Sequence, residues 1–142
     1  MVIAQFSNAN NNGEPLVINP NLLQAYREQG DICLVNIKRE LTRALVDYKL
    51  FQQLQEINNN FFIIIDYMET ERYTYIKEVE DDKHRLVTTL QVFVKDCKSA
   101  VAAEIYNSIY DACRELSLIM NKLVQIIKIV NEGENCFGSF NL

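Results

Sequence analysis

Glu78-Val79-Glu80-Asp81-Asp82 is the densest carboxylate group in the chain, and the only histidine, His84, follows two residues later. Acidic pairs three or four residues apart on two helices can hold magnesium for work on nucleoside triphosphates. Glu78 and Asp81 make one such pair. Glu69 and Glu71 upstream stand only two apart, so half a site is legible and a magnesium-dependent nucleotide-processing helical enzyme is a minor alternative. One histidine cannot furnish the two Glu-x-x-His pairs of a di-iron bundle or a His-Glu-x-x-His zinc helix. In the charged setting Asp82-Lys83-His84-Arg85, His84 reads as a solvated surface residue or a pH-sensitive contact at a helix start. Cys33, Cys97, Cys113 and Cys136 are widely spaced, with no Cys-x-x-Cys pair. They read as reduced thiols packed as small hydrophobes, the alternative being one disulfide. A nucleophile built from Cys97 or Cys113 with His84 needs a base beside the thiol. Cys97, however, continues the apolar stripe of Leu90 and Phe93. Neither a Gly-x-Gly-x-x-Gly nor a P-loop sequence occurs. No catalytic residue, metal ligand or cofactor is assigned, and the expectation is a protein that is not an enzyme.

The seven tyrosines point elsewhere. Tyrosine combines a large apolar body with one polar tip and is enriched where proteins meet. Tyr106 and Tyr110 stand four apart on one predicted helical face. Further along, Leu116, Ile119, Leu123, Ile126, Ile127 and Val130 form a broad apolar stripe. These eight residues are the candidate partner or self-association surface.

The elements that position them are helices. From Asp31 to Glu132 there is no glycine and no proline, the strongest helix breakers. Asn19-Pro20 predicts a capped helix start, with a first helix ending near Gln29 and Gly30 as its left-handed stop. A second helix is predicted over 32–57. Its stripe runs through Leu34, Ile37, Leu41, Ala44, Leu45, Tyr48, Phe51 and Leu54, and the four-three spacing from Ile37 to Phe51 makes a coiled-coil-like seam. The Asn58-Asn59-Asn60 triplet favours a break there, a continuous helix being the alternative. Phe61 to Val79 reads as a third helix, although Phe61–Ile65 has the content of a buried strand. The acidic run then serves as a turn or an exposed patch. From Lys83 to Asn131 a single helix would be about 70 Å long, so a kink or turn near Ser99 is favoured. The expectation is an all-α bundle of four to five helices, two of them long with coiled-coil-like seams. A flexible N-terminal arm (1–18) precedes the helical domain (19–132), and a flexible C-terminal tail (133–142) with Phe137 and Phe140 follows. Leu16, Val17 and Ile18 are expected to dock back on the bundle.

Bulk composition narrows the function classes. The chain has 142 residues, a net charge of −5 and 49% hydrophobic residues, enough for one core. An acidic chain without a basic cluster is a poor default partner for nucleic acid or anionic lipid. The start, Met1–Gly13, lacks the apolar stretch of a secretion signal, and the longest apolar run, Phe61–Ile65, is far short of a membrane span. A cytoplasmic or nuclear setting is expected. The C-terminal stripe is apolar on more than one side, which calls for cover on more than one side. The preferred reading is a non-enzymatic interaction or scaffold protein, homodimeric, with a protein partner of unknown identity. A helical chaperone or adaptor for one effector shares the same bundle. The frequent asparagine and isoleucine fit an AT-rich genome, compatible with a viral accessory or structural protein.

Overall fold

A computed structural model describes residues 15–132. Most of the expected arm, all of the expected tail, and with them Cys136, Phe137 and Phe140, lie outside the described residues. Four helices account for most of the described residues: α1 (Pro20–Ala44), α2 (Tyr48–Glu69), α3 (Ile76–Ala100) and α4 (Ala103–Glu132). No strand occurs among the described residues, so Phe61–Ile65 is helical. Connections of only a few residues force successive helices to run antiparallel. Side chains that bridge opposite helix ends show it. Arg27 near the start of α1 pairs with Asp66 near the end of α2 at 2.7 Å. Gln53 near the start of α2 donates to Asp96 near the end of α3 at 2.9 Å. Lys128 near the end of α4 meets Glu80 near the start of α3 at 2.6 Å. Each helix packs on two neighbours, in the order α1, α2, α3, α4 and back to α1.

Two expected breaks are absent. Helix α1 continues through Gly30 because that glycine has a packing role rather than a stop role. Gly30 is buried, and a Cβ there would overlap the ring of Phe61, itself fully buried. Helix α2 continues through the asparagine triplet. Three asparagines cost about 2 kcal/mol of helix propensity relative to alanine. The same helix buries Ile57, Phe61, Ile64 and Ile65, each worth about 1.5–3 kcal/mol. Burial decides. Asn59, facing solvent, accepts from Gln55 at 3.0 Å.

The actual turns fall elsewhere. The expected helices over 32–57 and 61–79 are both cut, at Leu45-Val46-Asp47 and at Thr70–Tyr75. Leu45 ends α1 in the left-handed region (φ 53°) and donates its N–H to Thr42 at 3.3 Å. Thr70 closes α2 by donating both N–H and hydroxyl to the Asp66 carbonyl at 2.9 and 2.7 Å, and Glu71 follows at φ 55°. The break near Ser99 exists, two residues later than expected. Val101 leaves the helix in extended geometry, and the Ser99 hydroxyl donates back to Asp96 at 3.2 Å rather than capping α4.

Residues 15–18 cross the end of the bundle where α1 begins. Leu16 and Ile18 are buried while Val17 faces out, the two-residue alternation of an extended chain. Leu16 donates its N–H to the Tyr73 carbonyl at 2.8 Å. The Asn131 side chain accepts from the Val17 N–H and donates to the Val17 carbonyl, both at 2.9 Å. One amide thus does for Val17 what a neighbouring strand would.

The Gly30–Phe61 approach fixes the outcome of a substitution. Alanine at an ordinary helix interior gains about 1 kcal/mol over glycine, but overpacking a closed core costs about 1–3 kcal/mol. Gly30→Ala is expected to lower the melting temperature by several degrees, and Phe61→Leu in the same chain to recover part of the loss, measured by thermal circular dichroism. A stabilised Gly30→Ala variant is the contrary result.

Candidate protein-interaction surface

The carboxylate run is occupied by structural contacts. Glu78 opens α3 by accepting the N–H groups of Thr74 and Tyr75, each at 3.0 Å. These bonds hold its carboxyl below the usual glutamate range. Asp81 pairs with Lys77 at 3.0 Å. Asp82 accepts from the Tyr73 hydroxyl at 2.7 Å and from Arg85 at 2.9 Å. Burial and that carboxylate push the Tyr73 phenol well above its ordinary range. Asp66 and Glu69, a second carboxylate pair at three-residue spacing that the sequence reading passed over, both face Arg27. No group of three or more His, Cys, Asp or Glu side chains placed to hold a metal occurs among the described residues.

Cys33, Cys97 and Cys113 are free and buried, on α1, α3 and α4. Burial, chiefly, pushes their thiols up to about 11, 12 and 12, far from the thiolate a nucleophile needs. Cys97 and His84 lie thirteen residues apart on one helix, about 20 Å along its axis, so they cannot act together.

The eight residues of the expected self-association surface divide. Leu116, Ile119, Leu123 and Ile127 are buried in the chain's own core. The wide stripe of α4 obtains its two-sided cover from α1 and α3 of the same chain, and the inference that it needs a sibling loses its premise. Tyr106 and Ile126 are half-buried, while Tyr110 and Val130 face solvent. The rings of Tyr106 and Tyr110 sit 6.1 Å apart, tilted by 35°. Tyr110 and Leu118, also exposed, border a shallow groove of about 290 Å³ between α3 and α4, with Val87, Val94 and Arg114 on its walls.

A larger surface lies where the sequence reading placed core. Leu45 is 89% exposed and Tyr48 74% exposed, although both fall on the predicted apolar stripe. The turn at 45–47 ends α1 before the stripe can continue, so these two side chains project from the corner between α1 and α2. Val35 (54%) is exposed on α1 as well. Beside them runs a groove of about 860 Å³ between α1 and α2. Its walls and floor are Leu34, Val35, Phe51 and Leu54; Lys38, Gln52, Gln55 and Asn58 bring polar groups to it, and Tyr48 stands at its end. The groove on the other flank of α1 has the opposite character. It holds about 430 Å³ and is lined by Glu40, Asp111 and Glu115 against Arg39. The signals for the exposed corner were weak: a β-branched Val46 followed by Asp47, a residue type that favours helix starts, without a glycine to mark the turn.

No protein-family model, curated protein or solved structure matches the chain. The reading of this surface therefore rests on its geometry.

Leucine in a left-handed turn is strained by about 1–2 kcal/mol, which glycine relieves while adding about 0.5–1 kcal/mol of unfolded-state freedom. Leu45→Gly is expected to leave stability unchanged or raise it by up to about 1 kcal/mol in urea unfolding. A loss of more than about 1 kcal/mol means that Leu45 packs on the bundle rather than projecting from it.

Proposed function

We propose that this chain is a non-enzymatic interaction protein. Its four-helix bundle presents the α1–α2 corner to a protein partner. The observation that carries this reading is the exposure of Leu45 and Tyr48 beside a groove walled by Val35 and Phe51. Large apolar side chains at the mouth of a concave, apolar surface are the usual makings of a recognition site. A leucine in a left-handed turn, where glycine or asparagine fits without strain, adds to it. The seams buried between helices, in this reading, form a rigid support packed like a short coiled coil. The acidic balance and absence of a basic cluster argue against nucleic acid as the partner. A cytoplasmic or nuclear setting accords with three free, buried thiols.

A second reading adds self-association through the outer face of α4. Tyr110, Leu118, Ile129 and Val130 are all exposed there, and two of them belong to the surface expected from the sequence.

Two experiments test these readings. Crosslinking of tagged chain in source-cell extract, followed by mass spectrometry, is expected to recover one dominant partner. The Leu45→Asp, Tyr48→Ala double variant should lose it while melting at an unchanged temperature. Equal recovery by both chains moves the site away from the corner. Light scattering is expected to give twice the chain mass of 16.5 kDa at micromolar concentration, reverting to the single mass in a Leu118→Glu, Ile129→Glu variant. A monomer throughout removes the self-association reading and leaves the partner reading standing.

A further inference from the structure

We infer that the α1–α2 groove takes an acidic amphipathic helix of about three turns, an inference that rests on reading the chain as an interaction protein. Three features of the groove select that occupant.

The first is length and shape. The groove is lined along α2 from Tyr48 to Asn58, about 15 Å of helix axis. It is a trough between two antiparallel helices with an apolar floor of Leu34 and Leu54, both buried, and walls of Val35 and Phe51. A helix carrying apolar residues at i, i+3, i+4 and i+7 fills such a trough.

The second is the backbone. The groove's walls are helices, whose main-chain groups are paired within each helix. An extended peptide would find no ladder there and would leave its own amides unpaired on an apolar floor. A helix arrives with its backbone already satisfied.

The third is charge. Lys38 is the only charged residue lining the groove. Lys38 is exposed, as is Lys49 beside Tyr48. Lys38 and Lys49 form no ion pair among the described residues. The nearest acids in sequence, Glu40, Asp47 and Glu56, are outside the lining, and Glu40 pairs with Arg43. Gln52, Gln55 and Asn58 add amide donors that suit a carboxylate. In a chain of net charge −5, this groove has a lysine and no carboxylate in its lining, and it faces an acidic partner with complementary potential.

The test uses the full chain and fluorescein-labelled peptide probes read by anisotropy. One probe is an eighteen-residue helix with leucine at i, i+3, i+4 and i+7 and glutamate at the polar positions. Its twin carries lysine for glutamate, and a third version is broken by two prolines. Vesicles of phosphatidylserine and phosphatidylcholine form a separate arm. The acidic helix is expected to bind in the micromolar range, at least tenfold tighter than either other peptide, and to weaken as salt rises. Lys38→Glu with Lys49→Glu should invert the preference between the twins. Tyr48→Ala should weaken binding at least fivefold at an unchanged melting temperature. Equal binding of the basic or proline-broken probe, binding to vesicles in place of peptide, or no binding at all overturns the inference. If no probe binds yet the corner variant still loses its crosslinked partner, the interaction role survives and only the acidic-helix occupant falls. If both fail, both readings fall together.

Discussion

Phe61 lies against bare backbone. Its ring occupies the space a side chain at position 30 would take, and this lets α1 and α2 approach more closely there than two side-chain-bearing helices can. The remaining packing is organised around that pinch. At one end of the pair, Arg27 reaches across to Asp66 and Glu69. At the other, the three-residue connection at 45–47 ties the helices together. Between the pinch and the turn the gap is filled by side chains rather than by contact of backbone with side chain, and this is where the 860 Å³ groove opens. The groove thus lies between the turn and the one helical glycine among the described residues.

The sequence made the class of fold legible because its strongest signal is long-range and simple. A hundred residues without glycine or proline, carrying four-three apolar spacing, have few solutions besides packed helices. Boundaries were legible only where local chemistry agreed with tertiary demand. Asn19-Pro20 is such a place, since the Asn19 side chain accepts from the amides of Asn21 and Leu22. At Gly30 and Asn58–Asn60 local chemistry said stop, and burial on both sides of each position overrode it. At Leu45 local chemistry said continue. The chain turned because a helix carried on through Phe51 would have left the stripe from Leu50 to Met68 without a partner to fold against.

The same override explains why half of the candidate surface was misread. Helix α4 is apolar over a wide arc, and a wide arc needs two neighbours. In a ring of four, every helix has two, so one chain meets the requirement for Leu116, Ile119, Leu123 and Ile127. Stripe width reports how many neighbours a helix has, and says nothing about whose they are. Exposure carries the information that width lacks. Tyr110 and Val130 stand out because none of the four described helices covers them.

Local irregularities can be sorted by whether anything compensates for them. Glycine inside α1 is offset by the Phe61 ring. The asparagine triplet is offset by the apolar residues that flank it. The carboxylate crowd at the start of α3 is offset by Lys77, Arg85, Lys128 and the backbone amides of Thr74 and Tyr75 that Glu78 accepts from. Leu45 differs. Its left-handed backbone is strained, its side chain faces water, and Asp47, the N-cap of the next helix, makes no side-chain cap bond. Three local rules fail within three residues, and no contact among the described residues recovers the cost. Sequences that specify one structure tend to break such rules where function requires it. The uncompensated corner adjoins the 860 Å³ groove through Tyr48, and that coincidence is why the functional reading is placed there rather than on the tyrosines of α4.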